Sequence, residues 1–259
     1  MSENIQPYLS IITVIYNRVN DIEKTINSVI SQSFKDIEYI IIDGNSNDGT
    51  ADIIRKYDEK ISFWISEPDT GIYNAMNKGI DKATGKYIQF MNAGDYFLDN
   101  DILEKIFSKG QISDIIYGDY YLSKDKKQMR NYPEQLTMFY FYISSLGHQA
   151  SFIKKKLFEN YKYNEKYKIV SDWEFFFKKI IFENCTTKHL GFPVCYFDLT
   201  GISESQSTKD LEKKERNDVI SALIPQKLIP DFEKLYKLRV FQHTRCYRYF
   251  FRFFLKKFL

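Results

Sequence analysis

Two nearly continuous apolar runs, rich in β-branched residues, set the pattern of the N-terminal third. Leu9 to Ile15 (LSIITVI) and Ile37 to Asp43 (IEYIIID) read as strands buried on both faces. Between them Ile22, Ile26, Val29 and Ile30 recur at the spacing of one helix face. The spacing predicts a helix over 20–33, with Asn20 as N-cap and Glu23 three residues later as in a capping box. A polar turn, GNSNDG, then leads to a short helix over 51–57 with Thr50 as its cap. Further strands are expected at 61–66, 86–91 (KYIQFM) and 115–122, and helices at 73–83 and 101–107. This β-α-β-α-β alternation predicts an α/β fold, a mainly parallel sheet sandwiched by helices.

Ligands of such sheets bind beyond the carboxyl ends of the strands. Asn17, Asp43 and Asp95 each stand at or just after a predicted strand end, so they share one edge. The second half is less regular. Residues 132–145 are aromatic and are expected to wrap the sheet edge. Ser171 to Phe182 predicts a helix with a capped start, 199–209 a polar loop and 210–222 a charged helix. The chain is expected to divide into an α/β unit over 1–205 and a helical C-terminal extension over 206–259.

The 259 residues suffice for one large α/β domain with an appendage, and 44% hydrophobic with 27% charged content excludes disorder. The formal net charge of +3 is too small to imply a nucleic-acid partner. Three cysteines without CxxC spacing fit a reducing cytoplasm and give no metal framework. The start of the chain carries no signal-peptide pattern, and no long unbroken apolar stretch predicts a transmembrane helix. Dinucleotide and P-loop glycine motifs are both missing, as is a nucleophile elbow.

Three acids carry candidate chemistry. Asp43 ends a buried strand and precedes Gly44, so a carboxylate can accept a base N–H where a ring can approach the backbone; it could equally only close the turn. Asp95 ends N-A-G-D after strand KYIQFM. It could hold a hard divalent cation against a diphosphate, or only form an Asx turn. Asp172, in V-S-D-W-E, could take a proton from a sugar hydroxyl as general base, or only serve the first turn of its helix, with Glu174 as a competitor. His148, in L-G-H-Q-A, could bind metal, acceptor or phosphate, or be structural.

LSIITVIYNR at 9–18, IIIDGNSNDGT at 40–50 and EPDTGIYNAMNKGIDKATGKYIQFMNAGD at 67–95, in this order and spacing, resemble the family 2 glycosyltransferases of GT-A fold. The likeness covers roughly residues 8–205 and is nearest the subgroup that builds bacterial surface polysaccharides. It implies an inverting enzyme that moves a sugar from a nucleotide-sugar donor, a UDP-sugar first, to a glycan or lipid-linked glycan acceptor. It also implies a catalytic unit over 1–205, with a nucleotide-binding half over about 1–100 and an acceptor half over about 101–205, and it implies site roles. Thr13, Asn17, Asp43, Gly44 and Asn92 would bind the nucleotide, with Asn92 at the first position of the family's D-x-D motif and Gly94 in place of its middle acid. Asp95 would hold Mn2+ or Mg2+, and Asp172 would be the catalytic base. His148, Gln149 and Trp173 would bind the acceptor or sugar.

A catalytically silent GT-A domain that binds sugar or scaffolds an assembly is the rival reading. A nucleotidyltransferase lacks its glycine-rich basic loop here, and a receiver-type domain does not explain SDWE. At the C-terminus, Arg245, Arg248, Arg252 and Lys256 recur at helical spacing among Phe250, Phe251, Phe254, Leu255 and Phe258. Such a segment suits peripheral contact with an anionic membrane, at the inner face of the cytoplasmic membrane, or packing on the protein.

Overall fold

A computed structural model describes residues 6–108, 110–122, 128–199 and 206–242. The basic aromatic segment 243–259 and residues 200–205 of the expected polar loop 199–209 therefore lie outside the described residues.

Nine strands form one sheet in the order β3-β2-β1-β4-β8-β6-β9-β5, with β7 paired to β6. Its first block is parallel: β3 (Phe63–Ser66), β2 (Ile37–Asp43), β1 (Leu9–Ile15) and β4 (Tyr87–Phe90). Beyond β4 the sheet is mixed. β8 (Ser151–Lys154) is antiparallel to β4 and to β6 (Ile115–Tyr121), while β9 (Thr187–Tyr196) runs parallel to β6. Two-residue strands, β5 (Tyr96–Phe97) and β7 (Met129–Arg130), complete it.

The period of two along β1 divides the core into two layers. Leu9, Ile11 and Ile15 pack with Ile22, Ile26 and Val29 of α1 (Ile22–Ile30) and with α4 (Ile102–Phe107). Ile12 and Val14 point the other way, towards Tyr73 and Met76 of α3 (Ile72–Lys82) and towards α6 (Ser171–Phe177). All seven residues of β1 are buried, as a strand covered on both faces requires.

Three expected caps are corrected. Asp21, not Asn20, stands at the N-cap of α1; its carboxylate pairs with Arg18 at 2.8 Å, and Glu23 accepts from Tyr57 Oη instead of reaching back. Thr50 is the first residue of α2 (Thr50–Arg55), because Asp48 Oδ1 accepts both its N–H and its hydroxyl. Ser171 does not cap α6: Val170 holds that position, and the buried Ser171 hydroxyl has no partner among the described residues.

The region 132–145 contains a helix, α5 (Met138–Ile143), capped by the Thr137 side chain. The extension is longer than its charged middle suggests, with α7 spanning Gln206–Leu223 and α8 Ile229–Gln242. α7 is tied to the body. Glu215 accepts from Lys168 N at 2.8 Å and Ile169 N at 2.9 Å, and the Arg216 guanidinium lies 4.1 Å from the centre of the Trp173 ring. Among the described residues no helix is long and apolar enough to cross a membrane.

Candidate active site

Because β1, β2 and β4 are adjacent and parallel, the segments that leave them emerge on the same sheet edge. Asp43, the last residue of β2, is fully buried. It accepts from Ser46 N (3.0 Å), Ser46 Oγ (2.5 Å) and Ser66 Oγ (2.5 Å). A carboxylate has about four acceptor positions, so one remains for a ligand N–H. Asn17 takes a left-handed φ of 51° and joins the two loops: its N–H donates to Ser46 Oγ, and its Oδ1 accepts from Asn47 N. Gly44 lies under the mouth of the edge. A Cβ there would stand 2.5 Å from Asp69 Oδ2 and 3.4 Å from the Tyr16 ring, and Tyr16 itself is 61% exposed. Asp69 covers the Cβ face of Gly44, and the exposed Tyr16 ring beside it is a surface on which a planar base can stack.

Thr13 is a correction. It is fully buried, with its hydroxyl donating to Met91 O at 2.7 Å and lying 2.9 Å from Tyr39 Oη, so it braces β1 within the inner layer and lines no pocket.

The N-A-G-D turn follows β4. Gly94 takes φ +104°, a left-handed conformation that glycine adopts without strain, and its N–H donates to Thr25 Oγ1. Asp95 is 3% exposed and accepts from Asp198 N at 2.8 Å. Burial pushes its carboxyl up to about 7, against the opposing pull of the Asp198 N–H, His148 and Arg18. Asn92 Nδ2 lies 2.9 Å from His148 Nε2, while its Oδ1 is buried with no hydrogen-bond partner among the described residues. No three His, Cys, Asp or Glu among the described residues gather closely enough to hold a metal by themselves. Mg2+ and Mn2+ need less when phosphate is present, one or two carboxylates and a few neutral oxygens. The Asp95 carboxyl and the orphaned Asn92 Oδ1 are hard oxygen donors of that kind, so these residues fit such an ion.

Asp172 sits in the first turn of α6, on the same edge. Its Oδ1 accepts from Tyr73 Oη (2.8 Å) and Trp173 N (2.9 Å), and its Oδ2 faces His148 Nδ1 at 2.9 Å. A carboxylate only accepts, so His148 carries a proton on Nδ1, and in the neutral ring Nε2 accepts from Asn92 Nδ2. The result is a hydrogen-bonded chain, Tyr73–Asp172–His148–Asn92, running from α3 through α6 to the N-A-G-D turn. Burial alone would raise the Asp172 carboxyl, but His148, Tyr73 and the Trp173 N–H outweigh it and hold the group below its ordinary value. His148 moves the other way: burial disfavours its charge, yet the bond to Asp172 and the charges of Asp172 and Asp95 raise it.

His148 thus stands in the site as a bridge, with both ring nitrogens engaged. Its two expected companions do not reach an acceptor. Trp173 is 1% exposed, donates from Nε1 to Phe141 O at 2.9 Å, and has Arg216 and Phe177 against its ring, so no face is left for a sugar. Gln149 is 2% exposed, and its backbone O accepts from Gln89 Nε2. Glu174 is turned away towards Tyr161. Residues the sequence did not single out for a role here include Tyr16, Arg18, Ser46, Ser66 and Tyr73. The polar tract after β2 signalled Ser46; Ser66 ends β3 and carried no such signal.

Residues 10–183 match the family described as Glycosyl transferase family 2. An uncharacterized glycosyltransferase of Mycobacterium tuberculosis is 30% identical over 203 residues, 76% of this chain and 77% of that protein. Among solved structures, S. aureus TarS superposes with a TM-score of 0.66 at 19% identity, covering 92% of this chain and 44% of that one. Its 1–349 segment in complex with UDP-GlcNAc gives 0.63 at 17% identity, over 87% and 78%. The mannosyltransferase PcManGT from Pyrobaculum calidifontis, in complex with GDP-Man and Mn2+, gives 0.65 at 14% identity, over 89% and 69%. The fold is therefore the mixed α/β GT-A fold.

Proposed function

The chain belongs to glycosyl transferase family 2, and we propose that it transfers one sugar from a nucleotide-sugar donor to a glycan or lipid-linked glycan with inversion at the anomeric carbon. What supports the reading is one juxtaposition: the Asp43–Gly44 turn, the N-A-G-D turn and Asp172 share a sheet edge, and the last two are joined through His148 and Asn92. Residues 1–205 serve as the catalytic unit, with the donor held by its first hundred residues.

In this account the base of the donor stacks on Tyr16 at the Gly44 turn and gives an N–H to Asp43. A single acceptor position at Asp43 suits uracil, which presents one N–H on its pairing edge, better than guanine, which presents more. The solved neighbours carry UDP-GlcNAc in one case and GDP-Man in the other, which supports a nucleotide-sugar without choosing between bases. Asp172 takes the proton from the acceptor hydroxyl. Its depressed basicity keeps it ionised at neutral pH, and three fixed donors aim its remaining lone pair. Asp95 and Asn92 Oδ1 would hold Mn2+ or Mg2+, which would supply positive charge for the departing diphosphate. One in-line displacement needs no covalent enzyme intermediate.

The acceptor end of the account includes a membrane surface. Lys234, Lys237 and Arg239 of α8 alternate with exposed Leu235, Tyr236, Leu238, Val240 and Phe241, and the sequence beyond it continues basic and aromatic without an acid. That chemistry complements anionic lipid headgroups over an apolar layer. Equal co-sedimentation with anionic vesicles before and after removal of residues 234–259 would discard this part.

The test is nucleoside diphosphate release from a panel of UDP- and GDP-sugars with Mn2+. Asp172→Asn should lower turnover by ~10²–10⁴ while leaving UDP affinity unchanged. Turnover retained in that variant removes Asp172 as the base.

A further inference from the structure

The N-A-G-D turn has a single acid where two are expected, and the structure assigns the second from elsewhere in the chain. We propose that Asp198, just beyond β9, is the second carboxylate of the divalent-cation site, lodged in the space that Gly94 leaves vacant. The inference rests on the metal reading above.

Three observations converge on it. A Cβ built on Gly94 would lie 2.5 Å from Asp198 Oδ2 and 2.9 Å from Asp198 Cβ, so the room for a side chain at position 94 is taken by Asp198. The placement is rigid. β5 pairs antiparallel with β9 through Tyr96↔Tyr196 and Phe97↔Cys195, the two tyrosine rings stack at 4.7 Å, and Asp198 N donates to Asp95 Oδ1. Asp198 already faces a cationic partner. Arg18, from the end of β1, bonds Asp198 Oδ2 and would lie 3.0 Å from a Gly94 Cβ, so a guanidinium stands beside Asp198 and the N-A-G-D turn. Asn92 Oδ1 adds a buried, unpartnered oxygen on the same turn.

Two carboxylates and a neutral oxygen from two segments give the hard-oxygen set that Mn2+ and Mg2+ take alongside diphosphate. Arg18 then has a defined part: it balances Asp198 while no metal ion is bound and competes with a bare one. A purely structural ion pair would stabilise the fold and leave metal affinity untouched, which separates the two roles.

The experiment measures Mn2+ affinity of the full chain at neutral pH by the electron paramagnetic resonance signal of free Mn2+, with and without UDP. Asp198→Asn should weaken Mn2+ binding in the presence of UDP about tenfold or more, as Asp95→Asn does, with UDP binding alone unchanged. Arg18→Gln should act with opposite sign and strengthen binding of Mn2+ without nucleotide. Asp198→Glu keeps the charge beside Arg18 but moves its oxygens, so it should fold as wild type and still bind Mn2+ more weakly; it decides the matter should the Asn variant not fold. Wild-type Mn2+ affinity in both Asp198 variants overturns the proposal. Wild-type protein that binds UDP but no Mn2+ overturns it together with the metal reading, and protein that binds neither removes the donor site as well.

Discussion

Replacing Asp95 by Asn should stabilise the ligand-free protein at neutral and alkaline pH. Burial moves this carboxyl from 3.8 to about 7. Below 3.8 the proton is present in both folded and unfolded chains. Between 3.8 and 7 the folded chain keeps it and the unfolded chain does not, so stability falls as pH rises; above 7 the loss is complete. A span of about three units corresponds to roughly 4 kcal/mol, or about 1.4 kcal/mol per pH unit within the window. Asn retains an oxygen for the Asp198 N–H and removes the titration. Urea unfolding at pH 5, 6, 7 and 8 should therefore show the two proteins diverging, with the variant ahead and the gap widening by about 2 kcal/mol from pH 5 to pH 7 and levelling off by pH 8. Parallel pH profiles, or a variant that is less stable at pH 8, would refute the claim that Asp95 is buried and costly in its charged form. Such a cost is what a cation site stores for its ligand.

Trp173→Ala should lower stability by about 3–5 kcal/mol in denaturant while leaving nucleotide affinity unchanged, because the ring is core and not platform. Gly44→Ala should weaken UDP binding roughly five- to tenfold by calorimetry, since its methyl displaces Asp69 from the Gly71 N–H and narrows the floor beside Tyr16.

The parallel half of the fold was legible because β1 and β2 are nearly continuous apolar runs that suit nothing but strands covered on both faces. β9 was not: TKHLGFPVCY carries Gly191 and Pro193, which read as breakers, and its pairing with β6 shifts register around Asp119. β8 is only four residues long, too short for a period to register. In the site, Asp43, Asp95 and Asp172 could be found because each terminates or opens an element. The partners Tyr73, His148 and Asp198 could not be connected to them, since contacts such as Tyr73 to Asp172 and Asp95 to Asp198 span about a hundred residues. The family resemblance offers Trp173 as a sugar contact, whereas the structure buries its ring. The triple phenylalanine after Glu174 was the contrary signal, marking a helix buried nearly all round.

The most direct test of the central claim is a calorimetric titration of the full chain with UDP and with GDP, each with and without Mn2+. The account predicts UDP binding that is strengthened by Mn2+, weakened in Asp43→Ala and stripped of its metal dependence in Asp95→Ala. Absence of binding by either nucleotide under every condition would contradict a donor site at the ends of β1, β2 and β4.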